Sequence, residues 1–135
     1  MRRIAAIDYG LKRIGIALSD PTRKIALPLT TVEGGKKAIQ NIAKALPLKD
    51  VELILIGLPL LMSGQKGEMA GKVEEFARLL EDALHIPILL CDERLSSKGA
   101  ESSLKELSLN RKQRTEKLDM VAATLLLQSY LDQKT

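Results

Sequence analysis

The stretch Ile4-Ala5-Ala6-Ile7-Asp8-Tyr9-Gly10-Leu11-Lys12-Arg13-Ile14-Gly15-Ile16-Ala17-Leu18-Ser19-Asp20 decides the fold. Two short apolar runs flank a turn marked by Gly10, the pattern of strand, tight turn and strand. A third apolar segment, roughly residues 25–32, follows Asp20-Pro21-Thr22. Connections this short imply an antiparallel meander. Asp8 is out of character with the run it ends. A carboxylate at the end of a core strand loses hydration unless something pairs with it. It either caps the turn through nearby backbone N–H groups or serves metal or phosphate chemistry beside Lys12 and Arg13.

Beyond the meander the periodicity becomes helical. Ala38, Ile39, Ile42, Ala43 and Leu46 share one face, and Pro47 ends that helix. Val51 to Gly57 is continuously apolar, as a parallel strand covered on both faces requires. After a loop rich in Pro and Gly, Met69, Val73, Phe76, Leu80 and Leu84 form a helical stripe. Pro87 to Cys91 reads as the next buried strand, closed by Asp92-Glu93-Arg94. Ser96 or Ser97 caps a helix to about Leu107. The basic stretch from Asn110 to Arg114 separates it from a last helix presenting Leu118, Val121, Ala122 and Leu125. The order β-β-β-α-β-α-β-α-α predicts an α/β domain over residues 1–135. Its five-stranded mixed sheet has three antiparallel strands, then two parallel ones, with helices on both faces. That is the ribonuclease-H-like arrangement. A purely parallel doubly wound sheet would need a crossover helix after each early strand.

The 135 residues suit one domain. Two Tyr, one Phe and no Trp leave the core to aliphatic side chains and argue against base stacking on aromatic platforms as a mode of recognition. A formal charge of +4 suits a polyanionic partner. The single cysteine, Cys91, excludes an internal disulfide and reads as a packed core thiol. No segment approaches the roughly 20 apolar residues of a membrane span. The N-terminal apolar stretch is broken by Asp8 and Lys12-Arg13, unlike a signal peptide. A soluble cytoplasmic protein with no membrane partner is expected.

Three acidic positions stand apart: Asp8, Asp92-Glu93 at the end of the last strand, and Asp119 on the inner side of the final helix. Ligands gather at strand C-terminal ends in α/β sheets. The first and last strands are expected to be neighbours near the sheet centre. Clustered carboxylates stay ionised only with cations between them, and Mg²⁺ or Mn²⁺ prefers oxygen ligands. Such a site can hold two ions about 4 Å apart for phosphodiester hydrolysis. Adjacent strand residues point to opposite faces, so one of Asp92 and Glu93 faces the site. Glu93 is the longer and is preferred, with Asp92 orienting or capping. The plainer readings make Glu93 and Arg94 a surface pair and Asp119 a solvated partner of Lys112 or Lys117. Lys12, Arg13, Lys66, Arg94, Arg111, Lys112 and Arg114, in loops or just after strands, either hold phosphates or form a solvated rim.

Ile7 to Asp20, Gly57-Leu58-Pro59-Leu60 with Ser63-Gly64, and Phe76-Ala77 resemble signatures of the YqgF/RuvX family. So do Asp92-Glu93-Arg94-Leu95-Ser96-Ser97, Lys117-Leu118-Asp119 with Ala122-Ala123, and Leu127-Gln128-Ser129-Tyr130-Leu131. The resemblance spans nearly the whole chain in order. It implies a ribonuclease-H-like fold related to Holliday-junction resolvases. It also implies a nuclease maturing the 5′ end of small-subunit (pre-16S) ribosomal RNA, with Asp8, Glu93 and Asp119 as its catalytic and metal-binding acids. Ser-Ser at 96–97 replaces the family's more usual Thr-Thr and keeps the hydroxyl. Related resolvases carry an acid where this chain has Gly57.

The leading expectation is therefore a metal-dependent endonuclease on structured RNA, with the precursor of the small ribosomal subunit as its setting. A resolvase of branched DNA uses the same chemistry, normally as a dimer, so monomer and homodimer both stay open. A non-cleaving nucleic-acid-binding or ribosome-associated factor is the third reading. An actin-like or sugar-kinase-like phosphotransferase, whose first phosphate loop Asp8-Tyr9-Gly10 resembles, would need a second copy of the fold.

Overall fold

The computed structural model describes residues 2–59, 67–92 and 111–134, the side chains of the last segment from 119 onward. Strands β1 (Arg3–Asp8), β2 (Arg13–Ser19) and β3 (Ala26–Glu33) form the antiparallel meander. Helix α1 (Ala38–Ala45) follows, and then β4 (Val51–Leu58), α2 (Glu68–Leu84), β5 (Ile88–Asp92) and α3 (Arg111–Gln133). The helix expected between Ser96 and Leu107 lies outside the described residues. The sheet order is β3-β2-β1-β4-β5, with β4 parallel to both β1 and β5.

Strand alternation sorts the side chains onto two cores. Ala5, Ile7, Ile14, Ile16, Ile54 and Ile56 pack on one face beneath α1 and α2, which contribute Ile42, Val73, Phe76 and Leu80. Ile4, Ala6, Ala17 and Leu55 pack on the other beneath α3, with Ala123, Leu126, Leu127 and Leu131. A fully buried side chain such as Leu127 contributes about 1.5–3 kcal/mol by leaving water. α2 ends where His85 turns left-handed at φ 57° and donates its N–H to Glu81 O at 2.8 Å. Pro87, two residues on, cannot donate to a helix. Among the described residues, no helix is long and apolar enough to cross a membrane.

Three expectations change. β1 and β5 are not neighbours, because β4 pairs with both. Among the described residues β5 is an edge strand, not a buried one, with Leu89 41% exposed. Of these residues, β4 and α2 cover only part of it. On α3 the buried face runs through Ala122, Ala123, Leu126, Leu127 and Leu131, leaving Leu125 exposed. Three consecutive leucines, 125–127, satisfy more than one helical phase, so periodicity alone selected the wrong one.

Candidate active site

Asp8 ends β1 on the face covered by α3, two residues beyond Ala6 of that core. It pairs in register with Gly15 of β2. A β-carbon built on Gly15 would lie 2.1 Å from the backbone oxygen of Asp119 and 2.7 Å from the amide nitrogen of Met120. A side chain at position 15 is thus excluded by the α3 backbone itself. The glycine lets the helix lie directly on β2, next to the end of β1. Asp8 and Asp119, 111 positions apart in sequence, are brought to one corner of the molecule by this contact. The turn between β1 and β2 is equally tight, since a β-carbon at Gly10 would meet Arg13 O at 2.4 Å.

Asp119 is half-buried. Burial pushes its carboxyl above the ordinary carboxylate range, while a hydrogen bond and the charge of Arg13 pull the other way. Arg13 Nε donates to Asp119 Oδ2 at 3.1 Å. Arg13, expected as a phosphate contact at the rim, is paired in the structure with Asp119, one of the candidate acids. Lys12 is exposed in the adjoining turn.

Arg111, Lys112 and Arg114 belong to the backbone of α3 instead of a loop. Lys, Arg and Gln are good helix formers, and the helix runs through them. Lys66, Glu93 and Arg94 lie outside the described residues. Asp92 is exposed and has the parity of Ile88 and Leu90, which pack toward α1 and α2. Cys91 is the β5 residue packed on the α3 side, and burial pushes its thiol up. A thiol so shifted stays protonated and is a weak nucleophile, as a packed core thiol should be.

Among the described residues, no three His, Cys, Asp or Glu side chains gather as a metal cluster. Asp8 and Asp119 do supply oxygen donors of the class Mg²⁺ and Mn²⁺ select. The desolvated charge of Asp119 is one that a neighbouring cation offsets, so the residues present fit such an ion. Sequence reasoning missed two parts of the site, Gly15 and the Arg13–Asp119 pair. The signal for the first was available: a glycine inside an apolar strand marks a close backbone approach.

Residues 2–133 match the family described as "RuvX: Holliday junction resolvase". The chain is 46% identical over 141 residues to a protein of Protochlamydia amoebophila named "Putative pre-16S rRNA nuclease", covering 98% of this chain and 94% of that one. A protein of the same name from Syntrophomonas wolfei is 46% identical over 132 residues, covering 96% and 94%. Among solved structures, Fowlpox virus resolvase with substrate Holliday junction DNA aligns at a TM-score of 0.59 and 12% identity, covering 98% of each chain. Thermus thermophilus RuvC in complex with a Holliday junction substrate aligns at 0.55 and 14%, covering 99% and 96%. At these identities the two structures show likeness of fold, the ribonuclease-H-like arrangement expected from the element order.

Proposed function

The chain belongs to the RuvX Holliday junction resolvase family, and from that premise we propose that it is a metal-dependent endonuclease processing the 5′ end of pre-16S ribosomal RNA. The name shared by its relatives supports this substrate. The carrying observation is the seating of Asp119 over Gly15, which pairs with Asp8. Glu93 is the third acid of the proposal. Asp92 faces away from α3, which leaves Glu93 as the remaining carboxylate that the sequence offers at that strand end.

The residues divide the work by chemistry. Asp8, Glu93 and Asp119 would hold Mg²⁺ or Mn²⁺. When bound, the metal supplies charge stabilisation for in-line attack of water on the phosphodiester. Arg13 orients the Asp119 carboxylate and, with Lys12, faces the flanking phosphates. Lys66, Arg94, Arg111, Lys112 and Arg114 extend that contact in the proposal. The protein works in the cytoplasm on structured RNA, as a monomer or a homodimer.

Cleavage of a precursor ribosomal RNA in Mg²⁺ or Mn²⁺ tests the reading. Full activity in an Asp8→Asn, Asp119→Asn double variant overturns it. The second reading is a resolvase of branched DNA, favoured by the junction-bound structural neighbours. Paired, symmetric incision of a four-way DNA junction, with no cleavage of the RNA precursor, would select it.

A further inference from the structure

A recess lies at the opposite end of the sheet from Asp8 and Asp119. Ile4 and Leu53, near the starts of β1 and β4, form its floor with Pro87 and Leu131, and its volume is ≈ 570 Å³. Pockets of roughly 300–1,000 Å³ accept small ligands, so one nucleotide fits. Tyr130 lies eleven residues beyond Asp119 on α3, or roughly 16 Å along the helix axis. The recess is therefore separate from the acids.

One wall is a loop held unusually firmly. Asp20 Oδ1 accepts the N–H groups of Lys24 and Ile25, both at 2.9 Å, while Oδ2 accepts the N–H and hydroxyl of Thr22. From α3, Gln128 accepts the Ala26 N–H at 2.8 Å and donates to Lys24 O at 3.0 Å. Within this loop Arg23 adopts a left-handed backbone, φ 60°. A non-glycine residue keeps that conformation where its surroundings over-determine it, and such residues gather at ligand clamps. Arg23 pairs with Glu52, both lining the recess, and Lys24 lies beside Arg23.

The C-terminal end of α3 supplies a second wall. Lys134 Nζ lies over the Tyr130 ring, 5.4 Å from its centroid. An apolar floor, an aromatic ring and two ammonium groups meet within one concavity, beside a carboxylate whose charge Arg23 balances. We propose that this recess binds a nucleotide, with its base displacing the Lys134 ammonium from over the Tyr130 ring, its phosphate between Lys24 and Lys134, and its ribose hydroxyls toward Glu52. The nucleotide is either free or one unit of a single strand.

The test is an amide NMR titration of the full chain carrying Asp8→Asn, in EDTA, so that no cleavage intervenes. Adenosine monophosphate, a short single-stranded oligoadenylate, adenosine and inorganic phosphate are compared. Saturable shifts at Lys24, Leu53, Tyr130 and Lys134, with millimolar midpoints for the monophosphate, are expected. Affinity falls roughly ten-fold for adenosine alone, for phosphate alone and in Tyr130→Leu. A Lys24→Gln, Lys134→Gln variant, altered only at exposed positions, loses the phosphate preference, and Tyr130→Phe retains binding. Shifts from the oligonucleotide identify a bound strand, and shifts from the monophosphate alone identify a free nucleotide; both uphold the proposal. No saturation by either up to about 10 mM overturns it. So do shifts confined to the Asp8 end, or equal affinity for inorganic phosphate. Because the measurement needs neither metal nor cleavage, its failure leaves the nuclease reading untouched.

Discussion

Arg13 Nε lies 3.1 Å from Asp119 Oδ2, so the first residue of β2 holds an acid 106 positions later in the chain. The two side chains remain 41% and 21% exposed, enough for solvent to screen the pair. Its contribution to stability is then below about 1 kcal/mol. Arg13→Gln should leave the urea midpoint nearly unchanged yet reduce the salt slope of RNA binding by about one unit, as loss of one phosphate contact requires. An unchanged slope would make Arg13 an internal tie and nothing more.

Two glycines should answer the same substitution with opposite signs. Gly15→Ala puts a β-carbon against the α3 backbone, and backbone cannot rotate aside as a side chain can. About 1–3 kcal/mol of destabilisation is expected, with cleavage per folded molecule falling as Asp119 is displaced from Asp8. Gly71, on the exposed side of α2, has open space around it. Gly71→Ala should stabilise by about 0.5–1 kcal/mol, because alanine loses less backbone freedom on folding. Urea unfolding with a parallel cleavage assay distinguishes the two.

Ser19 is fully buried at the end of β2, where its hydroxyl oxygen accepts the Ile4 N–H at 3.0 Å and its proton goes to Asp20 O, also at 3.0 Å. Ser19→Ala strands the Ile4 N–H without water. The expected loss is about 1–3 kcal/mol, read as a lower urea midpoint at unchanged slope, with cleavage by the folded fraction retained.

What the sequence disclosed follows from which interactions are local. β2 was legible because a turn glycine and a turn Pro bracket a pure apolar run. α2 was legible because Met69 to Leu84 keep one helical phase and burial follows it. Sheet order is not a local property. Nothing in Val51 to Leu58 says that β4 will pair with both β1 and β5. The leucines at 125–127 offered two phases, and the sheet surface chose between them. Asp8 and Asp119 were legible as acids in apolar company. The contact joining them depends on a missing side chain at Gly15 and on a helix arriving a hundred residues later.

The loop after β2 gives a pH dependence with a definite sign. Four donors converge on the Asp20 carboxylate and hold its carboxyl far below the ordinary 3.8. An acid whose value is depressed in the folded state binds fewer protons folded than unfolded around that pH. Its stabilisation is then fully present above the ordinary value and declines as pH falls through it toward the depressed one. The carboxylate is exposed, so the effect is modest and weakens in salt. Asp20→Asn should lower the melting temperature by a few degrees at neutral pH. The two proteins' curves should draw together as pH falls below about 4, because the carboxyl of the unfolded wild-type chain protonates there while the folded one still resists protonation. Gln128→Ala, which loosens the same loop without removing a titrating group, should run parallel to wild type over that range. Melting temperatures recorded against pH for all three separate the cases, and an Asp20→Asn curve that stays parallel down to pH 2 would remove the carboxylate's charge from the account of the loop.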